Sequence, residues 1–292
     1  MTNHDLTRLS LTHAIVIGTT KSIERKANYK ACFYELIDRL GRAIGRAPVS
    51  IQVERDELIP MIRKVHDALG ETIHLSIENI VVDASVFPKD RLWVLLDYLH
   101  RVNSGASLYV LYTEPSSYDT ETPNLGWLSK GVKRLVSIPG FNGRQNSSRK
   151  TLLVVIVGHE QERMQITIRN TEPSKVLLIG QGTEQYRDDA PRLSDFIVGR
   201  LGQDYAHVID FGEKYVAGSR DYLAVRDAIR EIYNRHKDAF NIIVAANSTK
   251  LQSIGALMAC REHRAINAIY AEPQLYNSEM TNGIGRIWAF GL

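Results

Sequence analysis

"NIIVAANSTKLQSIGALMACREHRAINAIYAEPQLYNSEMTN", residues 241–282, decides how this chain is read. An apolar run (241–247) ends in a polar turn, Asn-Ser-Thr-Lys, which opens a helical pattern. A second apolar run, 266–271, then leads into a tail crowded with aromatic and polar groups. Both runs are apolar almost throughout rather than alternating. Such strands belong in a parallel sheet covered by helices on both faces.

The same grammar extends outward over the 292 residues. Candidate strands lie at 13–18, 79–85, 107–112, 151–158, 175–180 and 207–211. Helical spacing of apolar residues fills 90–102 and 219–240. Strand–helix–strand alternation makes the class α/β, with Rossmann-like right-handed crossovers.

The chain also reads as written twice. "AIVIG" lies over "VLLIG", and "NIVVDAS" over "NIIVAANS", at one offset of 162 residues. The tail "YTEPSSYDTETPN" (112–124) returns as "YAEPQLYNSEMTN" (270–282) at an offset of 158, with six of thirteen positions identical. The expected fold is therefore two tandem Rossmann-like halves with mostly parallel sheets, related by internal duplication over roughly 10–128 and 173–292. The Gly/Asn/Ser-rich stretch 140–150 carries the expected boundary, dividing the chain into 1–148 and 149–292. On this reading "TLLVVIVG" and the helix after it are an addition ahead of the second half.

In open parallel sheets, ligands bind beyond the carboxyl ends of the strands. Both tails start at such an end. Tyr112, Tyr270 and Tyr276 offer flat faces for a base and hydroxyls for hydrogen bonding, while Glu114 and Glu272 suit ribose hydroxyls or a base amine. Pro is expected to bend each tail away from its sheet. The alternative for the tails is a pseudo-symmetric interface between the halves. Turns that open helices supply anion candidates: Ser248, Thr249 and Lys250, and in the first half Thr19, Thr20 and Lys21. "GQGT" (180–183) stands at the corresponding place in the second half. Glu160, Glu162 and Arg163, opening a further helix, are candidates for ligand contact or acid–base work, although acidic groups in a first turn usually serve the helix dipole.

Much is excluded. The chain lacks the Walker A sequence, the Gly-x-Gly-x-x-Gly fingerprint and the Gly-x-Ser-x-Gly elbow. No metal-ligand spacing occurs, so neither cofactor nor metal is expected. No nucleophile, base and orienter assemble from the text, and whether a reaction is catalysed stays open. The two cysteines, Cys32 and Cys260, are widely separated and suit a reducing, cytoplasmic setting. No leader or membrane span is expected. A net charge of +3 does not by itself indicate nucleic-acid binding. The one basic run, Lys130, Lys133, Arg134, Arg144, Arg149 and Lys150, reads as a solvated linker face.

Around "NIIVAANSTKLQSIGAL" the sequence resembles the CRISPR-associated Rossmann-fold (CARF) sensors, in which a core strand leads into a polar Thr-Lys turn ahead of a helix. The resemblance implies that Ser248, Thr249 and Lys250 help bind a cyclic oligonucleotide between two copies of the fold. The Gly pair usual before Thr-Lys is missing here. The related SAVED sensors fuse two CARF-like units in one chain, as the duplication does. By this resemblance the chain is a nucleotide-binding regulatory protein of prokaryotic antiviral defence that signals to an effector protein. The alternatives are a hydrolase or transferase acting on a nucleotide in the same cleft, and a scaffold subunit without ligand.

Overall fold

The computed structural model describes residues 14–19, 34, 37–38, 41–42, 49–53, 57–72, 79–85, 87–102, 105, 107–118, 128–158, 160–181, 190–277, 281–283 and 285–292. The chain divides into two compact units, Met1–Asp119 with Thr281–Leu292, and Thr120–Met280.

In the first unit, β1 (Ala14–Thr19), β2 (Val49–Val53), β3 (Asn79–Asp83) and β4 (Ser107–Thr113) form a parallel sheet. Its order is β13-β4-β3-β1-β2, where β13 (Ile287–Gly291) is antiparallel to β4. Helices α1 (Leu58–Thr72) and α2 (Lys89–Val102) belong to the same unit. In α2, Leu92, Leu95, Leu96 and Leu99 recur at helical spacing and are buried with Trp93. Asp90 in its first turn and Arg101 in its last complement the helix dipole.

The second unit holds β6 (Ser129–Asn142), β7 (Lys150–Ile156), α3 (Gln161–Thr171), β8 (Lys175–Gln181), α4 (Ala190–Tyr205), β9 (Tyr215–Ala217), α5 (Tyr222–His236), β10 (Phe240–Ala245), α6 (Lys250–Glu262) and β11 (Asn267–Tyr276). The sheet order is β6-β11-β10-β7-β8-β9, parallel except for β6 against β11. One core cluster joins Leu153, Val155, Met164, Ile168, Leu178, Leu201, Ile243 and Ile269. Each such fully buried side chain stabilises the fold by about 1.5–3 kcal/mol relative to exposure. Asp221 caps α5 by accepting from the Ala224 N–H at 2.8 Å, and Val225, Ile229, Ile232 and His236 form its buried stripe. Helix α6 is buried on nearly every side, from Leu251 to Cys260. The short pairs β5 (Ser117–Tyr118) and β12 (Thr281–Asn282) make a separate ribbon.

The α/β class and the two largely parallel sheets are as the sequence predicts. The strand orders also match over five positions, but with a different first landmark. β1 lies between β3 and β2, and the strand so placed in the second sheet is β7, not β8. "TLLVVIVG" is therefore a central strand rather than an addition. Buried parallel strands are apolar throughout, so "AIVIG" resembles either neighbour, and only pairing separates them. The other two landmarks agree in register. Val81 faces Tyr109 as Ile243 faces Asn267, which places Tyr112 and Tyr270 at equivalent positions.

Three further expectations change. The strand at 207–211 is only an isolated bridge between Val176 and Ile209, and β9 takes the sheet edge. Pro273 does not bend the second tail away from the sheet: β11 continues through it, paired with Val132 at a register shift. Residues 143–149 form a fastened turn. The Asn241 side chain accepts from the Asn146 N–H at 2.8 Å and donates to the Asn146 carbonyl at 2.8 Å.

Candidate functional site

The carboxyl edge of the second sheet gathers the polar turns. β10 ends at Ala245, and the Asn247 N–H turns back onto the Ala245 carbonyl at 3.0 Å. Ser248 is buried, and Thr249 caps α6 in a capping box with Gln252. The Thr249 hydroxyl also donates to the Ser219 carbonyl at 2.7 Å. Thr249 is thus committed to holding the turn, while Lys250, the first residue of α6, is half-buried at its opening. A helix start carries partial positive charge, to which the Lys250 ammonium adds.

Beneath the turn lies a buried amide pair. Gln252 is fully buried and exchanges hydrogen bonds with Gln181 at the end of β8, both at 3.2 Å. Gln252 Nε2 also reaches the carbonyls of Ala217 and Gly218 at 3.2 Å each. Gln181 donates to the Val157 carbonyl beyond β7 at 2.5 Å. The ends of β7, β8 and β9 are thereby tied to the first turn of α6. Gly158 lies so close to the Asn247 carbonyl that a Cβ there would approach it to 2.4 Å, which restricts this position to glycine.

β11 borders β10 and brings the second tail to the same edge. Tyr270 is buried, and its hydroxyl meets that of Tyr276 at 2.8 Å, while the Tyr276 side chain is 60% exposed. The guanidinium of Arg163, only 4% exposed, lies 5.4 Å from the Tyr270 ring centre. It donates from Nη2 and Nε to the Ala271 carbonyl at 2.6 and 3.2 Å, and from Nη1 to Glu160 at 2.9 Å. Burial works against the Arg163 charge, but Tyr270, Glu160 and Tyr276 outweigh it and hold its pKa above the ordinary value. Glu162 accepts from the Gly131 N–H at 3.0 Å. Glu272 pairs with Arg134 across the strands at 2.5 Å, and Lys130 and Lys133 stand exposed on β6 nearby in sequence. The basic run read as one linker face is therefore split. Lys130, Lys133 and Arg134 flank the tail at the carboxyl edge, whereas Arg144, Arg149 and Lys150 lie toward the amino edge.

Ser248, Thr249 and Lys250 thus share one turn, with Tyr270, Glu272 and Tyr276 on the neighbouring strand. Of the candidate turn 180–183, Gln181 is spent on Gln252 and the Val157 carbonyl, and Gly182 and Thr183 lie outside the described residues. Sequence reasoning missed Gln252, and it gave Lys130 and Lys133 no place at the edge. In the first unit, Tyr112 lies opposite Trp288. Glu114 is buried, its N–H bonded to the Arg286 carbonyl at 2.9 Å and its carbonyl to the Gly285 N–H at 2.8 Å. Thr19 ends β1, while Thr20 and Lys21 lie outside the described residues. In the first unit α2 opens at Lys89 as α6 opens at Lys250, and the Pro88 carbonyl accepts from the Leu92 N–H at 2.9 Å as the Thr249 carbonyl does from the Ser253 N–H at 3.0 Å. The two turns share a Lys at the helix start and differ at the cap, where Pro88 carries no hydroxyl. Among the described residues no group of three or more His, Cys, Asp or Glu is arranged to hold a metal ion. No helix among them is long and apolar enough to cross a membrane.

A family model described as "HFX_2341_N:-like, N-terminal" matches residues 152–276, the stretch from β7 through β11. No curated protein matches the chain. Among solved structures, a type III CRISPR defence DNA nuclease activated by cyclic oligoadenylate is similar over 88% of this chain, with a TM-score of 0.52 and 9% identity. This chain spans 65% of that nuclease's length. The lactose repressor bound to an anti-inducer gives a TM-score of 0.28 and 11% identity over 87% of this chain and 77% of its own. A sugar ABC transporter from Yersinia enterocolitica subsp. enterocolitica 8081 gives 0.28 and 12% over 90% and 68%. The likeness to the nuclease is one of fold.

Proposed function

We propose that this chain is a ligand-sensing protein of prokaryotic antiviral defence. Its second unit binds a nucleotide-type messenger of the cyclic oligoadenylate class and passes the signal to an effector protein. The observation that carries the reading is the capped start of α6, with Lys250 at its opening, beside the Tyr270–Tyr276 strand at one sheet edge. The helix start and Lys250 suit a phosphate; the exposed Tyr276 ring suits a base; Glu272 suits a ribose hydroxyl or base amine once it exchanges its bond to Arg134. The fold shared with a nuclease activated by cyclic oligoadenylate supports the choice of ligand class.

Calorimetry with cyclic tri-, tetra- and hexa-adenylate tests the reading. Lys250→Ala is expected to cost about 1.5–3 kcal/mol of binding, the range for a charge-assisted hydrogen bond, or roughly ten- to a hundred-fold in affinity. Unchanged affinity removes Lys250 from the site. Chromatography of the same mixtures separates sensor from enzyme. A sensor returns its ligand intact, and turnover lost in Glu272→Gln with binding retained supports the enzyme reading instead.

A further inference from the structure

The amino edge of the second sheet collects a second group of cations, and the hydrogen bonds that gather them are not local in sequence. The Arg149 guanidinium donates to the Lys237 carbonyl at 2.6 Å. Lys150 opens β7 directly opposite Phe240. The Arg144 N–H donates to the Ala265 carbonyl at 3.1 Å, and Arg264 donates to the Gly140 carbonyl at 3.2 Å. The Asn241 clasp on Asn146 holds the intervening turn in place. Arg144, Arg149, Lys150, Lys237 and Arg264 therefore lie along one edge, and all five are exposed.

Most carboxylates of this edge are held by other cations. Lys175 holds Asp210 and Glu213 at 2.9 and 2.6 Å and Arg230 holds Glu262 at 2.9 and 2.7 Å, while Glu172 and Asp238 stand exposed in the flanking loops. Among the described residues Arg144, Arg149, Lys150 and Lys237 make no ion pair with a carboxylate. The bond that the Arg149 guanidinium makes goes to a carbonyl oxygen, which orients it without neutralising it. Apolar anchors are missing as well: no large hydrophobic side chain exposed among the described residues lies on this edge. A protein interface draws its affinity from buried aromatic and aliphatic anchors. Phosphodiester recognition needs only cations, side-chain amides and hydroxyls, and backbone N–H groups, of which the exposed Gln145 and Ser147 of the same turn carry some; the Ser148 N–H and hydroxyl are spent on the Asn146 side chain at 3.0 and 2.7 Å.

We propose that this edge binds the sugar–phosphate backbone of a nucleic acid without reading its sequence. The surface is separate from the carboxyl-edge ligand site and does not depend on that assignment.

Fluorescence anisotropy of the full chain with a labelled 20-base-pair DNA duplex tests it. With four or five phosphates contacted, lowering salt from 200 to 50 mM is expected to tighten binding about a hundred-fold or more. Lys150→Ala alone should reduce the slope of log K against log salt by about one, and Arg144→Ala/Lys150→Ala/Lys237→Ala should remove most of it. The single variant keeps the test readable if the triple variant folds poorly. No binding at 50 mM salt overturns the proposal, as does binding unchanged in these variants. So does displacement of the duplex by a polyglutamate peptide of equal charge more readily than by unlabelled duplex, which marks an acidic protein as the partner.

Discussion

At Gln252 the side-chain amide does two jobs, and only one of them is written locally. Thr-x-x-Gln before an apolar run is a capping box that can be read from the sequence. The bonds to Ala217, Gly218 and Gln181 span 35, 34 and 71 positions, and no local pattern announces them. Gln252→Leu strands those partners in a buried site, and urea unfolding is expected to show a loss of about 3 kcal/mol. Glu213 offers a prediction in pH. Burial alone would raise its carboxyl, but hydrogen bonds from Lys175, His236 and Tyr215 outweigh that and bring it from 4.5 down to about 2. A carboxyl lowered in the folded state stabilises above its unfolded pKa, and that stability drains as pH falls from about 4.5 to 2. Melting temperature should drop steeply across that window, and Glu213→Gln should flatten the drop. An equal acid response in the variant contradicts the assignment.

At the scale of elements, the central parallel strands were legible because burial on both faces leaves continuous apolar runs, and α2 and α5 because of their apolar stripes. Helices α1 and α4 and the parallel edge strand β2 were not read. Nor were the other edge strands. β6 carries Lys130, Lys133, Arg134, Pro139 and Gly140, features that keep an exposed edge from pairing with other chains and equally hide a strand from hydrophobic pattern. β9 has three residues and is too short to register. The repeated tail was seen, but its conformation was not, because Pro273 is tolerated at a register shift on a strand whose partner lies more than a hundred positions earlier. Tyr270 shows what the tail contributes to stability. It is 3% exposed beside Arg163, so Tyr270→Ala is expected to cost about 3–5 kcal/mol in urea unfolding. Tyr270→Phe removes only the hydroxyl contact with Tyr276 and should cost about 1 kcal/mol. Equal losses in the two variants would mean that the hydroxyl pair, not the ring, carries the stability.

Across the whole molecule, the duplication is visible in two landmarks and in five matched strand positions, yet the chain does not simply run through one sheet and then the other. The strand after the first tail, β6, joins the second sheet, and the strand after the second tail, β13, joins the first. Linear boundaries read from composition carry no trace of such an exchange, because pairing partners are chosen by edge geometry rather than by sequence order. Removing residues 285–292 should leave β4 without its antiparallel partner. Calorimetric melting is then expected to show the first unit unfolding at lower temperature while the second unit is unchanged. The duplicated turns differ at the cap: Lys89 opens α2 as Lys250 opens α6, but Pro88 stands where Thr249 caps, and on the proposed function the phosphate-accepting turn is that of the second unit. Hydrogen exchange with and without saturating cyclic oligoadenylate tests that claim most directly. Slowed exchange is expected in 247–252 and 270–276, with no change in 87–92; unaffected exchange in 247–252, or protection confined to the first unit, overturns the assignment.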